Sequence, residues 1–250
     1  MKIKNFFGFS ILSADKNVSP LQMSLTQVLV LCLILSNIVV VKSIDLFGVS
    51  KLANTCSILV FPITYVLSDI FSEVYGYKWS RVTATWAFLG TALASIIFAL
   101  TIIIPGNSAW DKQDALITIL GNTPKITIAS LLAFYIGDWA NDKVFQLIKN
   151  KLSDKKWFVI RAIGSSLVGK YVDGFIFTFI GLSFLPLETK IIMVINCPFI
   201  QLCLETILLP VTIQLKNIIA KKEAKYAVSS KEQQIAVEHE EVSNEVLGRN

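Results

Sequence analysis

Long apolar runs without a charged residue constrain this chain more than any other feature of its sequence. Residues 25–41 contain no charge, and residues 82–110 form the longest charge-free run. A helix needs about 20 apolar residues to cross a bilayer. Only 16% of the 250 residues are charged, whereas soluble domains usually carry about 25%. The runs therefore predict helices that face lipid rather than the core of a soluble domain.

We predict an all-α membrane protein with six transmembrane helices. The predicted helices are 25–41, 52–75, 82–110, 126–148, 160–185 and 191–215. With the N-terminus inside, fifteen Lys and Arg residues fall on the inner side and five on the outer side. Because cytoplasmic loops carry an excess of Lys and Arg, we expect six spans with both termini in the cytoplasm.

The segments on either side of the helices are polar. We divide the chain into a cytoplasmic N-terminal tail at 1–24, a transmembrane domain at 25–216 and a cytoplasmic tail at 217–250 that is expected to be disordered. A short interfacial helix is expected at 110–120.

Charge and cysteine usage narrow the classes of function. The net charge of +5 requires no nucleic acid partner. The single histidine, His239, lies in the polar tail, and none of the four cysteines forms a CxxC pair. We therefore predict no metal site, no disulfide framework and no histidine-based catalysis.

Charged residues inside the predicted helices need a reason, because each costs ~2.5–3.5 kcal/mol at the bilayer centre. In helix 2, Tyr65, Asp69 and Glu73 are spaced i, i+4, i+8 and so share one face. Pro62 weakens the backbone hydrogen bonds one turn earlier. An aromatic ring with two carboxylates suits a planar ligand rich in N–H donors. Alternatively, Glu73 simply lies at the cytoplasmic boundary of the membrane.

Helices 4 and 5 carry further acids. Asp138 and Asn141 cluster on one side of helix 4, either as ligand contacts or where that helix leaves the membrane. In helix 5, Ser166 and Asp173 share a face with Gly169. Asp173 lies near mid-span, where it either contacts a ligand or forms an internal pair with Lys170, three residues earlier.

Three other polar residues are candidates for packing, proton-carrying or structural roles as well as for ligand contact. Asn37 interrupts an otherwise apolar helix 1, where packing between helices and ligand contact are both open. Glu205 in helix 6 is a candidate proton-carrying or ligand-binding group. Arg161 is expected at the inner mouth, in a structural role.

Several separated motifs resemble the queuosine precursor transporter family, earlier grouped with vitamin uptake transporters. The resemblance spans roughly residues 25–215, and Lys170 and Gly174 depart from it, where some members have an amide and many have Thr. The motifs are Phe61-Pro62-Ile63-Thr64-Tyr65 followed by Asp69, Glu73, Tyr75 and Gly76; Ser36-Asn37; Gly137-Asp138 with Asn141, Val144 and Lys149; and Arg161 with Ser165, Ser166, Gly169 and Asp173.

The resemblance implies a multi-pass protein of a bacterial inner membrane that imports a 7-deazaguanine precursor of the tRNA nucleoside queuosine. The candidates are preQ0, preQ1 and queuine, and facilitated diffusion and proton coupling both stay open. No cofactor is implied, and the partners are the small-molecule substrate and the lipid bilayer, with an oligomer left open. The expected substrate-binding residues are Asn37, Tyr65, Asp69, Glu73, Asp138, Asn141, Ser166 and Asp173, with Glu205, Lys170 and Arg161 in coupling or structural roles.

Two other functions compete with an importer. The chain could be the substrate-binding membrane component of a vitamin uptake system, which needs a separate energising complex because the sequence has no nucleotide-binding motif. An intramembrane aspartyl protease would need two membrane aspartates and a GxGD motif, but the sequence has Gly137-Asp138 and Asp173-Gly174 instead. We therefore predict a transporter and not an enzyme.

Overall fold

Seven helices and a small two-stranded sheet make up the part of the chain that the computed structural model describes, residues 18–151 and 158–247. Most of the predicted N-terminal tail, 1–17, lies outside these ranges. The elements are α1 Pro20–Val39, β1 Ser43–Asp45, β2 Ala53–Thr55, α2 Phe61–Ile70 with a π-helical continuation Phe71–Tyr75, α3 Tyr77–Ile103, α4 Gln113–Leu120, α5 Thr123–Lys151, α6 Phe158–Ile176 with a π-helical end Phe177–Gly181, and α7 Leu187–Leu247.

Five helices among the described residues are long and apolar enough to cross a membrane. These candidate spans are Pro20–Val39, Lys78–Ile103, Gln113–Ile148, Ile163–Gly181 and Leu187–Ser229. The prediction of an all-α membrane protein is confirmed. The expected sixth span, α2, is only about 22 Å long over residues 61–75, at 1.5 Å per residue.

The segment between α1 and α2 is not α-helical where we expected it to be, and it holds only short 3-10 turns such as Cys56–Leu59 beside two strands. Helix 2 was predicted from residue 52 but begins at Phe61, one residue before Pro62, and proline favours the first turn of a helix. Before it, β1 and β2 pair antiparallel, with Ser43 opposite Thr55. All three residues of β2 are buried. This burial fits the rule that non-helical backbone in a membrane protein must be covered by protein or line a cavity.

Other helix ends also differ from the prediction. The helix expected at 82–110 is α3, which ends at Ile103 because Ile104 is extended and Pro105 follows, as residues before proline favour extended backbone. The short helix expected at 110–120 is α4. The helix expected to end at residue 215 runs on to Leu247.

The polar tail is thus helical up to Leu247, although we expected it to be disordered. Its residues 217–247 are rich in Ala, Glu, Lys and Gln, which have high helix propensity even in a polar segment. The side of the membrane on which this extension lies stays a prediction.

Two apolar clusters flank the centre of the helix bundle. One joins β2 to the ends of four neighbouring segments and contains Val40, Ala53, Ile126, Leu182 and Met193. The other packs α1, α2 and α3 together through Leu29, Leu67, Phe71 and Ala87. Both clusters contribute wall residues to a central cavity.

Candidate functional site

A cavity of about 640 Å³ lies between six helices and β2. Pockets for small molecules usually occupy roughly 300–1,000 Å³, so this cavity is large enough for one. Seven of the eight residues expected to bind substrate line it: Asn37, Tyr65, Asp69, Asp138, Asn141, Ser166 and Asp173. Lys170 and Glu205 line it as well. The side chain of Arg161 lies outside the described part of the structure.

Helix α2 presents Tyr65 and Asp69 to the cavity, as their i, i+4 spacing predicts. Glu73, one further step along, lies in the π-helical segment 71–75 and is not in the cavity wall. Glu73 instead pairs with Lys216 of α7 at 2.7 Å, and 60% of its side chain is exposed.

Helices α5 and α6 cross closely at two glycines, and this contact positions the acids of both helices. A Cβ atom at Gly137 would lie 2.9 Å from Cβ of Asp173 and 3.0 Å from the carbonyl oxygen of Gly169. A Cβ atom at Gly169 would lie 2.9 Å from Cβ of Asn141. Small residues at such crossings allow two backbones to approach. Asn141 and Asp173 both line the cavity, so the glycine contact positions one wall residue from each helix.

Two carboxylates in the cavity wall are not engaged by a partner within the described residues. These are Asp69 of α2 and Asp173 of α6, and neither forms a salt bridge or a side-chain hydrogen bond with another described residue. The amide oxygen Oδ1 of Asn141 is buried and also has no hydrogen-bond partner among the described residues. Buried polar groups in proteins are almost always hydrogen-bonded, so the buried Oδ1 of Asn141 suits a ligand that brings an N–H donor. Asp173 is half-buried and Asp69 is exposed, and both line the cavity, where they can accept further N–H groups.

Lys170 pairs with an acid on another helix, not with the neighbour that its spacing suggested. Its Nζ donates to Oε1 of Glu205 on α7 at 2.5 Å, and the two side chains are 16% and 27% exposed. The internal pair with Asp173 that we considered is therefore not formed. The same Nζ lies 5.0 Å from the centroid of the Tyr65 ring.

Asp138 is held by a residue that the sequence did not single out. Nη2 of Arg81, at the start of α3, donates to Oδ2 of Asp138 at 2.5 Å. The guanidinium group also lies 5.8 Å from the centroid of the Phe134 ring. We counted Arg81 only as an inner-side charge, and no local pattern connects it to a residue 57 positions away. Arg81, Asp138 and Phe134 also line a second cavity of about 240 Å³.

We expect Arg81→Gln to destabilise the protein by about 1 kcal/mol. This value lies between the stability lost when an exposed ion pair is broken and that lost when a buried one is broken, because the two side chains are 23% and 34% exposed. Thermal unfolding of the purified protein measures this as a Tm lower by about 2–4 °C. Lys78→Gln, an exposed position one turn earlier in α3, is the matched control and should leave Tm unchanged. Equal Tm values for the two variants would contradict a structural role for the Arg81–Asp138 pair.

Asn37 takes part in packing and also reaches the cavity, so its two proposed roles are compatible. Its Nδ2 donates to Oγ1 of Thr127 on α5 at 3.4 Å. The segment that contains β2 adds three polar cavity-lining residues that we did not single out: Asn54, Thr55 and Ser57. They were missed because this charge-free segment was expected to be part of helix 2.

The chemistry of the cavity wall is that of a binding site for a polar organic molecule. It combines carboxylates, an amide and hydroxyl groups with the rings of Phe61, Tyr65, Phe88 and Phe134. Among the described residues, no three His, Cys, Asp or Glu side chains are grouped closely enough to hold a metal ion.

Comparison with known proteins bears on what such a membrane cavity does. The family described as "putative vitamin uptake transporter" matches residues 55–215 of this chain. A protein of Bacillus subtilis (strain 168) named "probable queuosine precursor transporter" is 27% identical over 190 residues, which cover 75% of this chain and 81% of that protein. No protein of solved structure matches the chain. The matched family region contains the cavity-lining residues of every helix except α1.

Proposed function

The chain belongs to the vitamin uptake transporter family, and on that premise we propose that it imports a 7-deazaguanine precursor of queuosine across the membrane. The observation that carries this proposal is the pair of unengaged carboxylates, Asp69 and Asp173, in the wall of one cavity. The name of the Bacillus subtilis relative supports the substrate class.

The guanine-like edge of a 7-deazaguanine fits these acceptors. It carries adjacent N–H donors on the ring and on the exocyclic amine, which one carboxylate can accept together. We assign this edge to Asp69 or Asp173, with Oδ1 of Asn141 as a further acceptor. The flat ring system suits an aromatic wall, and the second carboxylate is available for another N–H group. Asn37, Asp138 and Ser166 complete the proposed contacts.

The proposed topology has six passes through the inner membrane of a bacterium, with both termini in the cytoplasm. The short helix α2 reaches across together with the segment that contains β2, and the five longer candidate spans supply the other passes. The excess of Lys and Arg in the segments assigned to the inner side supports this orientation.

Uptake by cells that neither make nor import queuosine precursors tests the proposed function. We expect cells that express the chain to accumulate labelled preQ0, preQ1 or queuine and to restore queuosine in tRNA, whereas cells with an empty vector do not. If the protein is present in the membrane and the cells take up none of the three precursors, the proposal is ruled out. Transport by the purified chain alone in liposomes would distinguish it from a component that needs an energising complex.

A second measurement tests binding directly. A ligand that binds only the folded state stabilises it by about 2.7 kcal/mol at a concentration of one hundred times Kd. We therefore expect at least one of the three 7-deazaguanines to raise the Tm of the purified protein more than guanine does.

A further inference from the structure

The face of the Tyr65 ring, which we expected to stack against the ligand, is occupied by a cation of the protein itself. The ammonium group of Lys170 lies 5.0 Å from the ring centroid, within the roughly 6 Å over which cations and aromatic rings attract. The ring of Phe61 lies nearly parallel to that of Tyr65, with centroids 5.9 Å apart. A ligand ring can therefore stack on that face of Tyr65 only if Lys170 moves away.

Lys170 is held in this position by Glu205. The ion pair between them is 2.5 Å long, and 16% of the Lys170 side chain is exposed. An aromatic face next to a carboxylate is the combination that binds a ligand ammonium group. Here both elements line the cavity, and Lys170 already satisfies them. Moving Lys170 away would leave Glu205, whose side chain is 27% exposed, without its ion-pair partner, which is costly for a partly buried charge.

We propose that Lys170 determines the charge of the ligand group that the site accepts beside Tyr65. As a tethered cation, it repels a ligand ammonium group there and competes with it for Glu205. The part of the substrate that contacts Tyr65 is therefore uncharged, while its N–H donors face Asp69 and Asp173. This inference rests on the proposed function, because it takes the ligand to be a 7-deazaguanine.

A matched pair of ligands isolates this effect. PreQ0 carries an uncharged nitrile where preQ1 carries an aminomethyl group that is protonated at neutral pH, and the ring system is the same. Dissociation constants for both would be measured on the purified full chain, for the wild type and for Lys170→Gln, Lys170→Arg and the double variant Lys170→Gln/Glu205→Gln. The readout is the ratio of the Kd for preQ1 to the Kd for preQ0.

We expect this ratio to fall by about tenfold in Lys170→Gln, because the freed Tyr65 face and Glu205 then accept the aminomethyl cation. The ratio should return toward the wild-type value in the double variant, which lacks the carboxylate as well. Lys170→Arg keeps the charge over the ring and should keep the wild-type ratio.

Two results would overturn the role of Lys170 while leaving the proposed function in place. One is an equal change of both dissociation constants in Lys170→Gln, which indicates a structural role. The other is the same fall in the ratio for Lys170→Arg, which indicates that the shape of the side chain at position 170, and not its charge, sets the preference between the two ligands. If neither preQ0 nor preQ1 binds to the wild type or to any variant that still unfolds cooperatively, this proposal fails. The proposed function fails with it only if queuine does not bind either.

Discussion

Asp69→Asn and Asp173→Asn should each lower uptake of the transported 7-deazaguanine by about 10- to 100-fold. Hydrogen bonds to a charged group contribute roughly 1.5–3 kcal/mol, and every 1.4 kcal/mol is a factor of about ten in affinity. Asparagine keeps the shape of the side chain but replaces one acceptor oxygen with an N–H donor. That donor would face the N–H groups of the ligand. Accumulation of labelled precursor at a concentration well below Kd measures the loss.

The stability of the same variants separates a binding role from a structural one. Neither carboxylate has a salt bridge or a hydrogen bond within the described part of the chain, so asparagine removes no contact that supports the fold. We expect both variants to keep the wild-type Tm without ligand and to lose the increase in Tm that the ligand produces. A Tm several degrees below that of the wild type would assign the acid to folding instead.

Asp114→Asn is the matched control for this pair. Asp114 is an exposed carboxylate in the first turn of α4, away from the cavity wall. The Asp114→Asn variant should take up the labelled precursor as fast as the wild type when equal amounts of protein are in the membrane. Wild-type uptake by both Asp69→Asn and Asp173→Asn would contradict the assignment of these acids to the substrate.

Helical periodicity explains why so much of the cavity wall could be predicted. The residues Tyr65 and Asp69, one turn apart in α2, share a face in any α-helix, and so do Ser166 and Asp173 in α6. All four line the cavity. Such predictions depend only on local geometry and on the cost of a polar group in lipid, and both can be read from the sequence.

A distant partner of Glu73 and the two short strands limited this prediction. Glu73 continues the spacing of Tyr65 and Asp69 but pairs with Lys216 of α7 and does not line the cavity, and local spacing does not indicate that partner. The strand that places Asn54 and Thr55 in the cavity lies in the charge-free run from residue 52, which we assigned to helix 2. Periodicity over so short a stretch does not separate a helix from a buried strand.

The ion pairs could not be predicted, because they join distant parts of the chain. Lys170 and Glu205 are 35 positions apart, whereas Asp173 is only three positions from Lys170. Sequence spacing favoured the near partner, but the packing of α6 against α7 brings the distant one within 2.5 Å. Because Lys170 pairs with Glu205, Asp173 joins Asp69 as a cavity carboxylate without an ion-pair partner among the described residues, and only the three-dimensional arrangement shows this.

Gly137→Ala and Gly169→Ala should each lower the free energy of unfolding by about 1–3 kcal/mol. Each should also lower uptake by about tenfold or more. An added Cβ atom at either position meets a Cβ or backbone atom of the other helix at 2.9–3.0 Å. Those atoms cannot rotate away, so α5 and α6 must move apart. This cost exceeds the roughly 1 kcal/mol that alanine gains over glycine within a helix.

Transport should suffer as well, because the atoms in contact belong to residues of the site. The Cβ atom added at Gly137 meets Asp173, and the one added at Gly169 meets Asn141. Binding constellations must be held to within about 0.5 Å of the productive geometry, so separation of the helices shifts two proposed ligand contacts at once. Restoring the wild-type Tm with a stabilising mutation elsewhere should therefore not restore uptake.

Gly164→Ala, on the same helix as Gly169, tests whether the losses of stability and uptake come from the close contact between α5 and α6. Its added Cβ atom meets only Cδ1 of Ile148, at an ordinary distance of 3.5 Å, so Tm should stay the same or rise and uptake should be unchanged. If Gly137→Ala and Gly164→Ala have the same Tm and the same uptake, the close contact between α5 and α6 does not position the site. If Gly137→Ala alone lowers both quantities, Asp173 owes its place in the cavity to the absence of a side chain on the facing helix.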